Sequence, residues 1–172
     1  RKSKIESLNN LFNGCSKNFT IIFASSVTSN VTNMSSMFAY TPLFNQPISL
    51  DCSSCTTLSN FLDNATSFNS SLTLTNTSNV TSMQQMFLNA NAFNKPISLD
   101  CTSCSNLVGF LESALNFNSS LTLTNTSNVT DTSSMFLYAS SFNQPFTFDS
   151  SKVTNMTSMF AYASSFKIGR AH

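Results

Sequence analysis

The sequence predicts an α/β repeat fold, a right-handed, leucine-rich-repeat-like solenoid with one short parallel strand and one short helical segment in each repeat. Two observations predict it. A phenylalanine returns at alternating gaps of 24 and 25 residues, and every repeat contains a stretch in which apolar and polar residues alternate. Repeats of this length cannot bury an apolar face alone, so we expect them to stack. The returning phenylalanines are Phe44, Phe68, Phe93, Phe117, Phe142 and Phe166.

Two kinds of repeat alternate along the chain, so the unit of duplication is a pair of 49 residues. The 24-residue kind contains a Cys-x-x-Cys pair and occupies 44–67 and 93–116. The 25-residue kind lacks cysteine and occupies 68–92 and 117–141. Because each kind occurs twice with closely similar residues, equivalent positions of successive repeats can be compared directly.

The repeat pattern divides the chain into three segments. We expect a diverged N-terminal repeat of a truncated array at 1–30, the regular solenoid at 31–166 and a tail that abandons the pattern at 167–172. The last five residues, Ile168-Gly-Arg-Ala-His172, can be encoded by ATC GGA AGA GCA CAC, the start of a widely used sequencing adapter. We therefore expect the tail to be a read-through artefact at the end of a translated fragment.

Each repeat contains one stretch in which apolar and polar residues alternate, which is typical of a half-buried strand. With one such strand in each turn of the chain, the strands are expected to lie side by side in a parallel sheet. The predicted strands are Ile48–Leu50, Leu72–Leu74, Ile97–Leu99, Leu121–Leu123 and Phe146–Phe148.

The second half of each repeat has a different period. Between Val80 and Ala90 the apolar residues are three or four positions apart, which predicts a short helix with one apolar face. Ser78 or Asn79 is expected to cap this helix, because a short side-chain oxygen accepts the free amides of a first turn.

Two columns of identical side chains are expected inside the stack. The six returning phenylalanines should lie one above another at about one strand spacing, roughly 4.8 Å. An asparagine follows each of the first five, and its side chain is expected to bond loop amides or the neighbouring asparagines. These asparagines are Asn45, Asn69, Asn94, Asn118 and Asn143.

The composition argues against several classes of function. Between Ile5 and Phe166, three basic and seven acidic residues leave a net charge of −4, whereas phosphate binding needs clustered Lys and Arg. No apolar run approaches the roughly 18 residues of a membrane span. The sole histidine is His172 and there are three Gly, so a histidine-dependent catalytic device and a Gly-rich phosphate loop are not expected. We predict a protein that is not an enzyme and binds no nucleic acid, cofactor or metal.

Three phrases resemble the repeat of about 25 residues found in BspA-like, leucine-rich-repeat-related surface proteins, including lipoproteins of mycoplasmas. They are Phe44-Asn-Gln-Pro-Ile48, Val153-Thr-Asn-Met-Thr-Ser-Met-Phe160 and Ala161-Tyr-Ala-Ser-Ser-Phe166. The resemblance covers 31–166 strongly and 5–30 weakly. It implies a cell-surface or secreted solenoid, of a family whose members are mostly uncharacterised and in some cases linked to adhesion.

The cysteine pairs Cys52/Cys55 and Cys101/Cys104 allow more than one reading. The pairs are two repeats apart, roughly 10 Å by the strand spacing, which is too far for a shared zinc with bonds of about 2.3 Å. Each pair can close a local disulfide across its own corner, in the oxidising compartment that the resemblance implies. Alternatively, Cys55 and Cys104 are small apolar residues at the position that Val80 occupies in a 25-residue repeat.

The outward side of the predicted strands carries the candidate binding residues. One row is entirely hydroxyl-bearing, and a second row beside it alternates Asp with Thr. The first row is Ser49, Thr73, Ser98, Thr122 and Thr147, and the second is Asp51, Thr75, Asp100, Thr124 and Asp149. We predict that this face binds a protein or a glycan on another cell or in the matrix. The alternatives are a purely structural spacer or stalk and, as a minor one, an ice-binding surface.

Overall fold

The structure, a computed structural model, describes residues 4–23 and 25–167. Its regular elements are short. The helix α1 spans Ser25–Thr28, and single 3₁₀ turns span Thr77–Asn79 and Thr126–Asn128. The strands are β1 at Ile48–Asp51, β2 at Leu72–Thr75, β3 at Ile97–Asp100 and β4 at Leu121–Thr124.

The strands pair in parallel as two separate two-stranded sheets, β1 with β2 and β3 with β4. The register places Ile48 opposite Leu72 and Ser49 opposite Thr73, and the second sheet repeats this arrangement. Inward side chains are buried, with Ile48 3% and Leu50 2% exposed, while the polar residue between them faces solvent. The alternation of the sequence therefore separates core from surface along each strand.

Successive repeats also meet along a second line, one residue wide. Parallel β-bridges join each repeat to the next, and the chain amides on either side of the bridges donate to carbonyls of the neighbouring repeat. The bridged residues, in order along the stack, are Ser7, Asn33, Thr57, Ser82, Asn106, Asp131 and Asn155. Most of the backbone polar groups are thus paired between repeats instead of within a helix or a wide sheet.

The helix predicted between Val80 and Ala90 is wrong, because this segment is a series of tight turns. The Met86 amide bonds the Met83 carbonyl three residues back, at 3.3 Å, as in a turn. The Met83 amide instead bonds the Asn106 carbonyl of the next repeat, at 3.0 Å. Gln85 has a φ of 52°, in the left-handed region, which a right-handed helix does not contain. Consecutive four-residue turns return apolar side chains to one side with nearly the period of a helix.

The sheet is interrupted wherever a 25-residue repeat is followed by a 24-residue one. At this junction the Asp100 amide donates to the Thr77 side-chain hydroxyl, at 2.8 Å, where a continuous ladder would offer a backbone carbonyl. The Asp149 amide donates to Thr126 in the same way, at 2.7 Å. The predicted strand at 146–148 follows this second junction and is not formed. The single parallel sheet expected from the sequence is therefore two sheets.

The six returning phenylalanines form one continuous aromatic column along the stack. Neighbouring ring centroids are 5.6–5.9 Å apart and the rings are within 18° of parallel. These distances exceed the expected strand spacing, since stacked aromatic rings prefer an offset arrangement. Phe68, Phe93 and Phe117 are fully buried, so the column forms the centre of the core.

The asparagine beside each phenylalanine forms a second ladder. The side-chain oxygen of Asn45 accepts the backbone amide of Asn69, at 2.8 Å, and Asn69 accepts the amide of Asn94, at 2.9 Å. The series continues through Asn118 and Asn143. Each asparagine therefore satisfies a loop amide of the following repeat.

Candidate binding face

The first row of candidate residues lies on one exposed surface, here called the strand face, which consists of the outward side chains of the strand segments. The register of β1 with β2 and of β3 with β4 fixes the order of the row. All five members are exposed: Ser49, Thr73, Ser98, Thr122 and Thr147. Four of them belong to strands, and Thr147 extends the row beyond β4.

The hydroxyls of this first row are free within the chain. None of the five has a hydrogen bond to another residue among 4–23 and 25–167. Their backbone is held by the strand pairing, so the hydroxyls are presented at fixed intervals without an internal partner. They are consequently available to donate and accept hydrogen bonds outside the chain.

A second exposed hydroxyl row, which the sequence reasoning missed, has the opposite character. In this row the hydroxyl and the backbone amide of one residue donate to the same carbonyl of the previous repeat. Thr81 donates to the Thr56 carbonyl with its hydroxyl at 3.0 Å and its amide at 2.9 Å. The row is Thr32, Thr56, Thr81, Ser105, Thr130 and Thr154. The available signal was a Thr or Ser immediately after the core Val or Cys of every repeat.

The aspartates of the alternating row have structural as well as surface roles. Oδ1 of Asp51 accepts the Ser53 amide and the Asn76 side-chain amide, both at 3.0 Å. Oδ1 of Asp100 accepts the Thr102 hydroxyl at 2.6 Å and the Asn125 side-chain amide at 3.0 Å. Each of these aspartates closes its own corner and binds the next repeat.

These hydrogen bonds keep the aspartates ionised. The Asn76 side chain, followed by Ser53, holds the pKa of Asp51 below its ordinary value. The Thr102 hydroxyl lowers the pKa of Asp100 in the same way. Bonds from Ser151 lower the pKa of Asp149. The strand face is therefore bordered by negative charge at neutral pH.

The threonines of the alternating row contribute less to the surface. The Thr75 hydroxyl donates to the Leu50 carbonyl at 3.5 Å, and the Thr124 hydroxyl donates to the Leu99 carbonyl at 3.4 Å. Both bonds are long and both threonines are exposed. Five of the ten candidates thus carry free hydroxyls, and the other five also connect one repeat to the next.

The cysteines are free thiols, so the local disulfides expected at Cys52/Cys55 and Cys101/Cys104 are not formed in this structure. All four side chains are fully buried, which places them in the core as small apolar residues. The Cys55 thiol bonds the Thr57 carbonyl at 3.2 Å. Hydrogen bonding to Cys55 and then burial raise the pKa of Cys52, which keeps that thiol protonated.

Metal and membrane features were also sought in 4–23 and 25–167. Within these ranges no three His, Cys, Asp or Glu side chains are close enough together to hold a metal ion. No helix in the same ranges has the length and hydropathy to cross a bilayer. The tail beyond Lys167, including His172, and residues 1–3 lie outside the described part of the chain, so the expectations for them stay predictions.

The stacking of near-identical units through backbone bonds defines a repeat protein. Comparison with known families then gives a membership. The family described as "Mycoplasma protein of unknown function, DUF285" matches residues 6–121 and 98–170, and the chain belongs to this family. No curated protein matches the chain. No solved structure matches it either.

Proposed function

We propose that the chain is part of a BspA-like surface protein, a right-handed, leucine-rich-repeat-like solenoid that is secreted or displayed on a cell. Its work is to bind a protein or glycan on another cell or in the matrix through the strand face, without catalysis. The family membership supports the general class, since the BspA-like repeat is of a related kind. The binding role is supported by the geometry of the face itself.

The observation that carries the proposal is the difference between the two exposed hydroxyl rows. The row through Thr56 and Thr81 uses its hydroxyls to join repeats. The row through Ser49, Thr73 and Ser98 is equally regular and exposed, yet its hydroxyls have no internal bond in the described residues. Regular stacking makes such a row a broad, preformed surface, which lowers the entropy cost of binding.

A spacer or stalk is the competing function, and ice binding is less well supported. Ice recognition needs uniform spacing of similar groups across a flat face. Here the sheet is interrupted between β2 and β3, and ionised aspartates recur in the adjacent row. A stalk would use the array for length alone and would have no need of the free hydroxyl row.

The test blocks the strand face and measures binding to a printed panel of glycans and extracellular-matrix proteins. The blocking variant is Thr73→Lys, Thr122→Lys and Thr147→Lys, three exposed positions of the first row. The expected result is that a panel ligand bound by the natural chain is lost by this variant.

A matched control adds the same charge elsewhere. It consists of Ser67→Lys, Asn116→Lys and Ser165→Lys, three exposed positions at a different corner of the repeats. We expect this control to retain the ligand. No binding to any printed ligand, or equal binding by both variants, would favour the stalk.

A further inference from the structure

The three aspartates beside the first hydroxyl row are arranged alike. Asp51, Asp100 and Asp149 each end a strand segment, and each uses Oδ1 to accept the amide of the residue two positions later. Oδ2 accepts none of these bonds. The carboxylates are therefore held in one orientation, with the same oxygen committed to the fold in each.

The charges near this row are few. Lys152 lies close enough to help lower the pKa of Asp149, after the larger effect of the bonds from Ser151, and its ammonium donates to Asn128 at 2.8 Å. The pKa of Asp51 and that of Asp100 are lowered by uncharged donors. With a net charge of −4 between Ile5 and Phe166, the array as a whole attracts cations.

The spacing of the row suits an extended polypeptide. One aspartate occurs in every second repeat, which corresponds to two strand spacings or roughly 10 Å. An extended chain advances about 3.3 Å per residue, so side chains three residues apart are also roughly 10 Å apart. The free hydroxyls of the first row lie alongside and can bond the polar backbone of such a chain.

We propose that the partner of the strand face is an extended, basic segment of another protein, with Lys or Arg at about every third residue. This inference rests on the proposed binding function and narrows it to one class of ligand. The basic side chains pair with Asp51, Asp100 and Asp149, and the peptide backbone bonds the hydroxyl row. A neutral glycan would make no use of the oriented carboxylates.

The probe is a fluorescently labelled peptide with four Lys-Ser-Thr units, compared with an isomer of the same composition whose four lysines are contiguous. Anisotropy is measured at low and at physiological salt. The spaced peptide is expected to bind about tenfold more tightly than the isomer, because only its charges match the row. Its affinity is expected to fall as salt rises.

The variant that tests the row is Asp51→Asn, Asp100→Asn and Asp149→Asn. Asparagine keeps the oxygen that accepts the corner amide, so the fold is expected to survive, which a thermal unfolding curve verifies. Loss of three exposed ion pairs should weaken the spaced peptide about tenfold. A control with the same change in charge, Glu6→Gln, Glu112→Gln and Asp131→Asn, should retain the affinity of the natural chain.

The outcomes separate this inference from the proposed function. Equal binding of the two peptides, or equal weakening by the two variants, would show non-specific attraction and overturn the basic partner. If the spaced peptide fails to bind while a panel ligand is lost on blocking with lysines, the binding function stands and the basic partner falls. If neither peptide nor panel ligand binds, both fall.

Discussion

The 24-residue and 25-residue repeats have the same phenylalanine and asparagine columns but close the corner after the strand differently. In the 24-residue kind, Cys52 enters the core directly after Asp51. In the 25-residue kind an additional residue, Asn76, adopts a left-handed conformation with a φ of 57°, and the buried Thr77 follows it. The hydroxyl of Thr77 then bonds the next repeat. One extra residue thus changes which group connects two neighbours.

The alternation of the two kinds also balances volume in the core. The 24-residue repeat has Phe61 followed by Leu62, whereas the 25-residue repeat has Met86 followed by Phe87 at the equivalent buried positions. A large ring in one repeat therefore lies above a more slender side chain in the next. Interdigitation of this type fills a core without voids, which makes the pair of repeats the natural structural unit.

The largest effect is expected from removing what both kinds of repeat share. Phe93 stacks on Phe68 and Phe117 in the column and on Phe87 within the core, with centroid distances of 4.7–5.9 Å. Phe93→Ala should lower the free energy of unfolding by about 3–5 kcal/mol, since it leaves a cavity that rigid neighbours cannot fill. Urea unfolding measures the loss. A loss below about 1 kcal/mol would contradict a tightly packed column.

The next effect concerns the junction made by the 25-residue repeat. Thr77→Val removes the acceptor of the Asp100 amide while keeping the shape of the side chain. An unsatisfied amide costs about 1–3 kcal/mol, and Thr77→Ser should restore most of it. Equilibrium unfolding of both variants provides the measurement.

Thr81→Val is the matched control for this junction, within the same repeat. The carbonyl that accepts the Thr81 hydroxyl also accepts the Thr81 amide, so no group loses its last partner. The change should stay within about 0.5 kcal/mol. Equal losses for the substitutions at Thr77 and Thr81 would mean that the junction hydroxyl has no special role.

A smaller effect is expected at the extra residue itself. Asn125 has a φ of 56° and donates its side-chain amide to Asp100. Asn125→Ala and Asn125→Gly both remove this bond, but only alanine resists the left-handed conformation. The alanine variant should be less stable than the glycine variant by about 1 kcal/mol, as measured by thermal or urea unfolding. A glycine variant that is no more stable than the alanine variant would contradict the account of the extra residue.

The sequence predicted the columns better than the local conformation, for a physical reason. Identical residues at a fixed period must occupy equivalent places in a stack, so Phe68 and Asn69 could be placed without knowledge of the backbone. A chain of turns and a helix return apolar residues at similar intervals, and several left-handed positions are filled by residues such as Gln85 and Tyr138, which do not signal that conformation. The turns were therefore mistaken for helices.

The candidate surface was predictable in its residues but not in its chemistry. Period-two alternation placed Ser49 and Thr73 outside. Whether their hydroxyls are free, while those of Thr56 and Thr81 are bonded, depends on the distance to a carbonyl of another repeat, and no pattern within one repeat encodes that distance. The interruption between β2 and β3 was missed for the same reason, since it depends on a side chain replacing a backbone acceptor.

The smallest effect at any one pH, yet the most specific, involves two aspartates of the same 24-residue repeat. Asp63 is 4% exposed, and burial raises its pKa despite bonds from Asn64 and Asn60. The folded state therefore favours the protonated form. Its contribution to stability is complete below the ordinary pKa and is lost as pH rises through the raised value. Asp51, whose pKa is lowered by Asn76 and Ser53, contributes in the opposite direction, with stability present above the ordinary pKa and lost on acidification.

Single substitutions at these two aspartates should consequently have opposite effects at neutral pH. Asp63→Asn removes a buried negative charge and should raise the unfolding midpoint at pH 7, while making stability less dependent on pH between the ordinary and raised values. Asp51→Asn should lower the midpoint at pH 7, with the difference from the natural chain disappearing in acid. Urea unfolding from pH 3 to pH 8 distinguishes the two. Parallel pH profiles for both variants would mean that the corner carboxylate and the buried carboxylate are in equivalent environments, which their hydrogen bonds and burial contradict.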